Sequence, residues 1–383
     1  MLSIAVIGAG PGGAFCSSLL ARKGFRVTLF DYRAAWEKPC GGGVTYKAIE
    51  RYPFLEESLH PHRSIRAIEV LSPRNQSVTF PLSSPLSIYS RSTLNRIILD
   101  RAISAGVTFL QKRVLGFARN GSVWRLRTDQ GNHEVDLLIG ADGVNSFVRK
   151  TLGSRFPAED LMMTFGYRVP FEMEDRITIK FYPEFHGYLW AFPRPEHVSY
   201  GICGRLNRYS MHQLKNYLHE FMEGSLPPGV FQSKDFEIYS SLIPSLRPAS
   251  LCQNKVSGEG WALVGDAAGF CDPITCEGIY FALRSGELLA EALPETVPGS
   301  YSQACSDDFM DDFIHAAKLF ERFYAGRLLG SDFITRMVQT SRRSPALQSV
   351  MNAFVSGKQN YRTLRPTLLR KSPRILMELL LES

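Results

Sequence analysis

The spacing of apolar and polar positions predicts an α/β fold at the start of the chain. Ser3–Ile7 is a short apolar run that ends at glycines, Pro11–Lys23 has the pattern of a helix, and Arg26–Phe30 alternates as a strand. These segments predict a β-α-β opening. Further on, Ser92–Ala105 has helical periodicity, and Val135–Ile139, which is apolar except for Asp136, is predicted to be one strand buried on both faces.

The pattern changes between about Leu161 and Cys203, where short stretches with strand character are divided by Pro, Glu and Gly. These stretches are Phe165–Phe171, Ile177–Tyr182, Gly187–Phe192 and Val198–Ile202. They predict a mainly antiparallel sheet inserted as a second domain. Trp261–Val264 returns to a short buried strand, and a long helix is predicted near Gly278–Leu293.

Beyond Ser306 the chain is predicted to be mostly helical. Four acidic residues at the start of this region suit the N-terminus of a helix, where a negative charge is stabilised. They are Asp307, Asp308, Asp311 and Asp312.

Composition favours a globular protein in a reducing compartment. Hydrophobic residues make up 44% of the 383 residues and charged residues 21%, and no apolar run reaches the ~18 residues that span a bilayer. The apolar N-terminus lacks the basic start of a signal peptide. Seven cysteines without a CxxC pair argue against a disulfide framework or a zinc site. We therefore expect a cytoplasmic protein with no structural or catalytic metal.

The net charge of +7 is concentrated near the C-terminus. Between Phe333 and Met377 there are nine lysines and arginines and no acidic residue. Such a segment could face anionic lipid, an anionic substrate or an acidic partner, or it could be a solvated helical face. Nucleic acid is not expected, because the segment lacks interleaved aromatic residues and any known binding module.

A glycine motif lies between the first strand and the first helix. Gly8-Ala9-Gly10-Pro11-Gly12-Gly13 satisfies G-x-G-x-x-G, and Asp31 ends the next strand eighteen residues after Gly13. In such a unit the glycines let the backbone approach a pyrophosphate, and the acid binds ribose hydroxyls. The candidate cofactor contacts here are Gly8, Gly10, Pro11, Gly12, Gly13, Asp31, Tyr32 and Arg33. This unit alone does not separate FAD from NAD.

Two later segments favour FAD. Gly140–Arg149 and Gly265–Phe270 each follow a buried strand and place a carboxylate at its end. Such a carboxylate can accept hydrogen bonds from an extended cofactor or cap a helix. The helix that begins near Glu277-Gly278-Ile279 could direct its positive end to the flavin edge that becomes anionic on reduction. The candidate contacts here are Asp142, Gly143, Gly265, Asp266, Pro273, Gly278 and Ile279.

From Met1 to about Leu293 the sequence resembles the FAD family of aromatic hydroxylases, flavin halogenases and geranylgeranyl reductases. The glycine unit, Asp142-Gly143 and Gly265-Asp266 match the landmarks of that family in order and spacing. Two further pieces resemble the geranylgeranyl reductases. Lys38–Val44 is similar to their CGGG loop, and Gly187–Pro193 is similar to their YxWxFP motif. Halogenases carry WxWxIP at the equivalent place, and this chain has Tyr188 and Phe192 instead.

The resemblance implies roles for further residues. Cys40, Gly41, Gly42 and Gly43 would lie beside the isoalloxazine, Arg91 would contact FAD, and Val114 would lie near adenine. Tyr188, Trp190, Phe192 and Pro193 would line the substrate cavity, although an ordinary hydrophobic sheet core is an equal alternative for the three aromatic residues. Cys40 could donate a proton to the substrate or could simply pack against the ring. We interpret Cys271 and Cys276 as structural thiols rather than a redox pair.

The fold predicted is an FAD-binding Rossmann-like domain of the p-hydroxybenzoate hydroxylase type, with an inserted sheet domain and a helical C-terminal region. We expect the FAD-binding domain to comprise residues 1–155 and 250–295, the substrate domain residues 156–249, with part of 45–90 joining it, and the helical region residues 296–383.

The predicted activity is saturation of C=C bonds in a prenyl or other long apolar substrate by hydride from reduced flavin. The electron donor would be NAD(P)H or a redox protein, and the basic C-terminal region could contact a membrane peripherally. Two alternatives remain open at this point. One is a monooxygenase or halogenase that uses O2, and the other is a non-catalytic prenyl-binding escort protein.

Overall fold

The structure is a computed structural model that describes residues 1–57, 60–233, 236–293, 299–328 and 330–381. Predictions that fall on other residues, such as the start of the helical region at residue 296, lie outside the described residues. The chain divides into two compact units, each built from three segments. The first unit comprises Met1–Lys38, Arg91–Asp160 and Ile243–Ile314, and the second comprises Pro39–Ser90, Leu161–Leu242 and His315–Ser383.

The strands within the described residues are β1 (Ser3–Ile7), β2 (Arg26–Phe30), β3 (Gly43–Val44), β4 (Arg63–Leu71), β5 (Ser77–Ile88), β6 (Thr108–Leu110), β7 (Val114–Asn120), β8 (Val123–Thr128), β9 (Gly131–Val135), β10 (Leu137–Gly140), β11 (Leu161–Val169), β12 (Arg176–Lys180), β13 (Gly187–Pro193), β14 (Val198–Arg205), β15 (Glu237–Pro244), β16 (Ser257–Gly258), β17 (Trp261–Leu263), β18 (Arg327–Leu328) and β19 (Ser331–Asp332).

The helices within the same residues are α1 (Pro11–Arg22), α2 (Tyr46–Arg51), α3 (Arg91–Ser104), α4 (Phe147–Thr151), α5 (Met211–Glu223), α6 (Pro228–Ser233), α7 (Pro248–Cys252), α8 (Ile279–Ala292), α9 (Gly299–Cys305), α10 (Asp311–Ala325), α11 (Phe333–Arg343), α12 (Pro345–Val355) and α13 (Tyr361–Leu381). Short 3₁₀ turns lie at Pro53–Leu55, Ala158–Asp160 and Gly265–Ala268, and a π-helical turn lies at Ser306–Met310.

The main sheet of the first unit is largely parallel, in the order β16-β17-β10-β1-β2-β6. The strands from β17 to β6 run parallel, and β16 pairs antiparallel with β17. Every residue of β1 and β10 is buried, as expected for strands covered on both faces. The helices α1 and α8 approach closely, since a Cβ atom at Gly12 would lie 2.9 Å from the carbonyl oxygen of Ala282. The predicted β-α-β opening is confirmed.

Two details of the sequence prediction are wrong in this unit. The segment Val135–Ile139 is not one strand: Val135 ends β9, which pairs with β8, and β10 begins at Leu137. Asp136 divides them because its carboxylate accepts hydrogen bonds from the backbone N–H and hydroxyl of Ser3, at 2.8 and 2.6 Å.

The acidic residues after Ser306 do not begin the C-terminal helical region. Helix α9 starts at Gly299, and Asp307 and Asp308 lie in the π-helical turn between α9 and α10. This turn places Asp308 Oδ2 2.5 Å from Nη2 of Arg284 in α8. Burial of Arg284 lowers the pKa of its guanidinium, but Asp308 and Glu287 outweigh this effect and raise that pKa above its usual value. Asp308 therefore has a tertiary partner, whereas Asp311 and Asp312 lie in the first turn of α10, as predicted.

The second unit contains a large, mainly antiparallel sheet in the order β15-β11-β14-β13-β12-β4-β5-β3. The predicted mainly antiparallel sheet is confirmed, since β11 pairs antiparallel with β14, β14 with β13 and β13 with β12, whereas β12 and β4 run parallel. Strand β5 runs past Phe80 to Ile88. A register shift opposite Ile65 and Ala67 absorbs the stretch from Pro81 to Leu86.

One face of this sheet packs against α5. Leu189, Ala191 and Ile202 from the strands meet Leu214 and Leu218 of the helix, and all are essentially inaccessible to solvent. Helix α5 begins at a capping box, in which Ser210 and Gln213 exchange hydrogen bonds, and this device fixes where the helix starts. The same strands present a different set of side chains on the opposite face.

Candidate functional site

The glycine turn between β1 and α1 is shaped by steric contacts. Gly8 has φ +107°, and a Cβ atom there would lie 2.3 Å from the carbonyl oxygen of Ala141. At Gly13 a Cβ atom would lie 1.9 Å from the carbonyl oxygen of Gly8. At Gly10 it would meet none of the described residues within 4 Å, and none of their side chains caps the helix there. The N-terminus of α1 therefore faces open space and suits an anion.

Asp31, at the end of β2, holds this turn in place. Its Oδ2 accepts a hydrogen bond from the N–H of Ala9 at 2.8 Å, and its Oδ1 accepts one from the N–H of Arg33 at 2.8 Å. Each carboxylate oxygen can accept a further hydrogen bond. The predicted contact with ribose hydroxyls stays a prediction, and the carboxylate also has a structural role.

An exposed arginine–aromatic stack lies next to Asp31. The guanidinium of Arg113 lies 4.0 Å from the ring centroid of Tyr32, and that of Arg33 lies 5.2 Å from the same ring and 5.0 Å from Trp36. Sequence analysis missed Arg113 and Trp36, although Arg113 immediately precedes the candidate residue Val114, which is the half-buried first residue of β7. Flat cationic and aromatic surfaces of this kind suit an adenine ring.

Asp142 lies after β10 and has one oxygen in use. Its Oδ2 accepts hydrogen bonds from the N–H groups of Phe147 and Val148, at 2.6 and 3.1 Å, and so begins α4. Its Oδ1 is buried without a hydrogen-bond partner among the described residues. Burial raises the pKa of Asp142 above its usual value, against hydrogen bonds that lower it. Gly143, with φ +80°, makes the turn that follows.

Asp266 forms an ion pair within the first unit. Lys38 Nζ lies 2.7 Å from Asp266 Oδ2, and both side chains are largely shielded from solvent. The pairing joins positions 228 residues apart in the sequence, and sequence analysis had no signal for it beyond the place of Lys38 just before Cys40. The turn itself begins at Gly265, with φ +59°.

The buried Arg149 and the half-buried Asn254 hold the backbone of the Gly265–Ala268 turn. Arg149 Nη1 donates to the carbonyl oxygen of Ala267 at 3.4 Å, and Asn254 Nδ2 donates to that of Ala268 at 2.8 Å. Arg149 also donates to Asn254 Oδ1 at 2.9 Å. Burial lowers the pKa of Arg149 to about 10, so the residue remains charged at neutral pH. Two of the three predicted landmarks are thus linked through Arg149, and Asn254 had no sequence signal.

Helix α8 begins next to Asp266. Gly278 is its N-cap and has no side-chain cap, and a Cβ atom at Gly278 would lie 3.2 Å from Asp266 Oδ1. Ile279 is the first helical residue and is buried. The carbonyl oxygen of Pro273 accepts a hydrogen bond from Ser245 Oγ at 2.9 Å, which fixes the preceding turn.

Arg91 is a buried cation at the start of α3. Its side chain is 4% exposed, Nη2 lies 3.4 Å from Asn95 Oδ1, and Nε has no hydrogen-bond partner among the described residues. The carboxylate of Glu37 accepts hydrogen bonds from the N–H groups of Arg91 and Ser92, at 3.0 and 2.8 Å. A buried guanidinium with an unused donor needs an acceptor.

The groups described above in the first unit can be matched to the parts of a dinucleotide cofactor. The open N-terminus of α1 suits a pyrophosphate, Asp142 Oδ1 can accept from a hydroxyl, and Arg91 Nε can donate to an oxygen. The residues present therefore fit FAD.

The second unit carries the remaining candidates, beginning with the glycine loop after Lys38. Gly42 has φ +83°, and its N–H lies 3.3 Å from the Sγ of Cys40, which is half-buried. A Cβ atom at Gly41 would lie 2.5 Å from the Phe192 ring, and one at Gly43 would lie 3.3 Å from it. These glycines let the loop pass directly over Phe192.

Three aromatic side chains line one face of β13, which we call the aromatic strip: Tyr188, Trp190 and Phe192. Their ring centroids follow one another at 5.8 and 6.5 Å, which confirms the predicted alternation. Leu189 and Ala191 point into the core on the opposite face. The buried Pro193 ends the strand. The predicted cavity contacts of Tyr188, Trp190, Phe192 and Pro193 stay a prediction.

Residues 1–186 match the family model described as an FAD binding domain. A geranylgeranyl diphosphate reductase from Nicotiana tabacum is 26% identical over 77% of this chain and 66% of its own length. A digeranylgeranylglycerophospholipid reductase from Methanoculleus marisnigri is 26% identical over 98% of this chain and 96% of its own length. The chain is an FAD-dependent oxidoreductase that is similar to geranylgeranyl reductases. Its cofactor is FAD.

Solved structures show the same fold. A geranylgeranyl bacteriochlorophyll reductase-like protein from Thermoplasma acidophilum superposes with a TM-score of 0.79, at 19% identity over 99% of this chain and 98% of its own. A flavin-dependent brominase superposes with a TM-score of 0.72, at 18% identity over 97% and 99% of the two chains. The chain thus shares its fold with both of these proteins, a reductase-like protein and a flavin-dependent brominase.

Proposed function

We propose that this oxidoreductase saturates C=C bonds in a prenyl chain. The observation that carries the proposal is the packing of residues 40–43, which we call the Cys40 loop, directly on Phe192 of the aromatic strip. Aromatic side chains with no charge among them suit an unsaturated hydrocarbon rather than a polar substrate. The named relatives, which are reductases of geranylgeranyl compounds, support the same substrate class.

FAD, once bound and reduced, supplies the hydride. The chain supplies the environment for the second hydrogen. We propose that Cys40 donates a proton to the alkene carbon next to the one that receives the hydride. The S–H bond breaks, a C–H bond forms, and the thiolate regains a proton from water. The two electrons come from the reduced flavin and the alkene is reduced by two hydrogens, so atoms and charge balance.

The test is anaerobic turnover of the dithionite-reduced holoprotein with a panel of prenyl lipids, followed by mass spectrometry. A gain of two hydrogens for each reduced bond is the expected product. Rapid oxidation of the reduced flavin by O2, stimulated by substrate and giving an oxygenated or halogenated product, would instead identify the monooxygenase or halogenase alternative. A purified protein that binds prenyl lipid without FAD would identify the escort alternative.

We further propose NAD(P)H or a redox protein as the electron donor. Bleaching of the oxidised flavin absorbance under anaerobic conditions, with NADH and NADPH in parallel, distinguishes the two nicotinamides. If neither nicotinamide bleaches the flavin while dithionite does, the donor is a protein.

We propose that α13 rests on an anionic membrane surface, which would bring the chain to a lipid substrate. Among the described residues, no helix is long and apolar enough to cross a bilayer. The exposed side of α13 carries both apolar and basic side chains, which suits an interfacial helix. They are Leu369, Leu376, Met377 and Leu380, all more than half exposed, with Arg362, Arg365, Arg370 and Arg374.

The membrane proposal is tested by co-sedimentation of the holoprotein with vesicles of neutral lipid or of neutral lipid with phosphatidylglycerol. Binding that needs the anionic lipid and falls in the double variant Arg365→Gln, Arg370→Gln is the expected result. Arg96→Gln is the matched control, since Arg96 is exposed on α3 and pairs with Asp100 in its own helix. Equal sedimentation with both vesicle types would refute the proposal.

A further inference from the structure

A buried polar cluster lies against the Cys40 loop in the second unit. We call Arg194, Ser199 and Tyr239 the Tyr239 cluster. Arg194 is 4% exposed, Ser199 0% and Tyr239 5%. Burying a guanidinium, a hydroxyl and a phenol costs free energy unless each is hydrogen-bonded. Their hydrogen-bond partners therefore indicate which part of the chain the cluster fixes in place.

The contacts converge on the backbone of the loop. Nη2 of Arg194 donates to the carbonyl oxygen of Cys40, and its Nε donates to that of Gly41 at 3.2 Å. Ser199 Oγ lies 3.4 Å from the same Cys40 oxygen and 2.9 Å from Tyr239 Oη. The carbonyl groups of Cys40 and Gly41 are thus held by side chains that follow the aromatic strip in the sequence.

Tyr239 anchors the cluster on the far side. Its hydroxyl donates to the carbonyl oxygen of Tyr200 in β14 at 3.0 Å. Burial, with a smaller contribution from the Cys40 side chain, raises the pKa of Tyr239 to about 12, although the hydrogen bond with Ser199 and the Arg194 guanidinium lower it. The phenol therefore keeps its proton at neutral pH and can act as a fixed hydrogen-bond donor.

The sheet is built to admit this phenol. A Cβ atom at Gly166 would lie 2.3 Å from Tyr239 Oη, and one at Gly201 would lie 2.7 Å from it and 2.1 Å from the Trp190 ring. Glycine in the middle of a strand weakens the strand and marks a close approach. Two neighbouring strands, β11 and β14, each carry such a glycine at this place, which a purely apolar core would not require.

We infer that Arg194, Ser199 and Tyr239 are positioning residues that fix the Cys40–Gly41 backbone and so set the orientation and exposure of the Cys40 thiol. The inference rests on the proposed function only for the role of that thiol as proton donor. The cluster itself acts on the loop, and its effect can be measured without substrate.

The test measures alkylation of Cys40 by iodoacetamide in the oxidised holoprotein. Trypsin does not cut between Lys38 and Pro39, so a single peptide of residues 34–47 contains Cys40 and no other cysteine. Removal of the hydroxyl in Tyr239→Phe or Ser199→Ala breaks hydrogen bonds of the cluster and should raise the alkylation rate at least about fivefold, because the loop opens more often. Tyr200→Phe is the matched control. It removes a buried hydroxyl from β14 that bonds to Ser225 instead, and its rate should equal that of the wild type.

A second readout separates positioning from general loosening. The pH midpoint of alkylation should move upward in Arg194→Gln, because removal of a nearby cation disfavours the thiolate. The midpoint should return towards the wild-type value in Arg194→Lys, which keeps the charge.

Each outcome decides the matter. Folded variants whose alkylation rate and pH midpoint match the wild type would overturn the inference. If Tyr239→Phe fails to fold, Ser199→Ala decides, because it removes a smaller group from the same cluster. Failure of prenyl reduction with the expected alkylation changes would refute the proposed substrate and leave the positioning role standing.

Discussion

Replacing Gly10 by alanine should leave the fold intact and weaken FAD binding. Gly10 has φ −69° and ψ 179°, a backbone conformation that alanine adopts readily, and its Cβ position is open. Because alanine restricts the unfolded chain, Gly10→Ala should stabilise the cofactor-free protein by about 0.4–1 kcal/mol.

The loss of affinity can be worked from the same geometry. An N–H group of α1 bonds a phosphate oxygen at roughly 2.9 Å, whereas a methyl carbon needs about 3.5 Å or more. The new methyl group therefore displaces the pyrophosphate and breaks one hydrogen bond to a charged group, worth roughly 1.5–3 kcal/mol. The dissociation constant for FAD should rise about 10- to 150-fold.

The assay is a fluorescence titration of the cofactor-free protein with FAD, alongside urea unfolding of the same sample. Gly13→Ala is the contrasting variant, since its Cβ atom would lie 1.9 Å from the carbonyl oxygen of Gly8 and should disrupt the fold itself. Unchanged FAD affinity in Gly10→Ala would show that the pyrophosphate lies elsewhere, and unfolding of that variant would refute the steric argument.

Three further outcomes are expected. Because burial raises the pKa of Asp142, its ionised form destabilises the cofactor-free fold. Asp142→Asn should therefore be more stable than the wild type in urea at about pH 7 but not at about pH 3, and it should bind FAD more weakly. An equal gain at both pH values would contradict this. Gly201→Ala should lower stability by roughly 1–3 kcal/mol, because its Cβ atom would lie 2.1 Å from the Trp190 ring, and a wild-type melting temperature would refute it. Lys38→Gln should lower the free energy of unfolding by about 1 kcal/mol or less, and by less at high salt, since the Lys38–Asp266 ion pair is partly exposed. A loss of stability that does not depend on salt would count against the ion pair.

Sequence reasoning succeeded where the determinants are local. The glycine turn, its following helix and the acid at the end of β2 lie within the first 31 residues, so spacing alone places them together. The alternation of Tyr188, Trp190 and Phe192 follows from the period of a strand.

It failed where partners come from distant segments. Lys38 pairs with Asp266 across 228 residues, and Ser199 meets Tyr239 across 40. No local pattern encodes such pairs, since they depend on how the strands are ordered in the sheet. The prediction of one strand at Val135–Ile139 likewise passed over Asp136, whose contact with Ser3 lies at the boundary between β9 and β10.

The interleaving of segments constrains how the nascent chain can fold. Strand β17 completes one side of β10, yet Trp261 is synthesised 121 residues after Gly140, the last residue of β10. At synthesis rates of about 5–20 residues per second the delay is roughly 6–24 s. Throughout that interval the apolar β10 has an unpaired edge, a template for aggregation. Fragments that end before Trp261 should therefore precipitate or require a chaperone. Only a chain that extends past Trp261 can cover the edge of β10 and leave the chaperone.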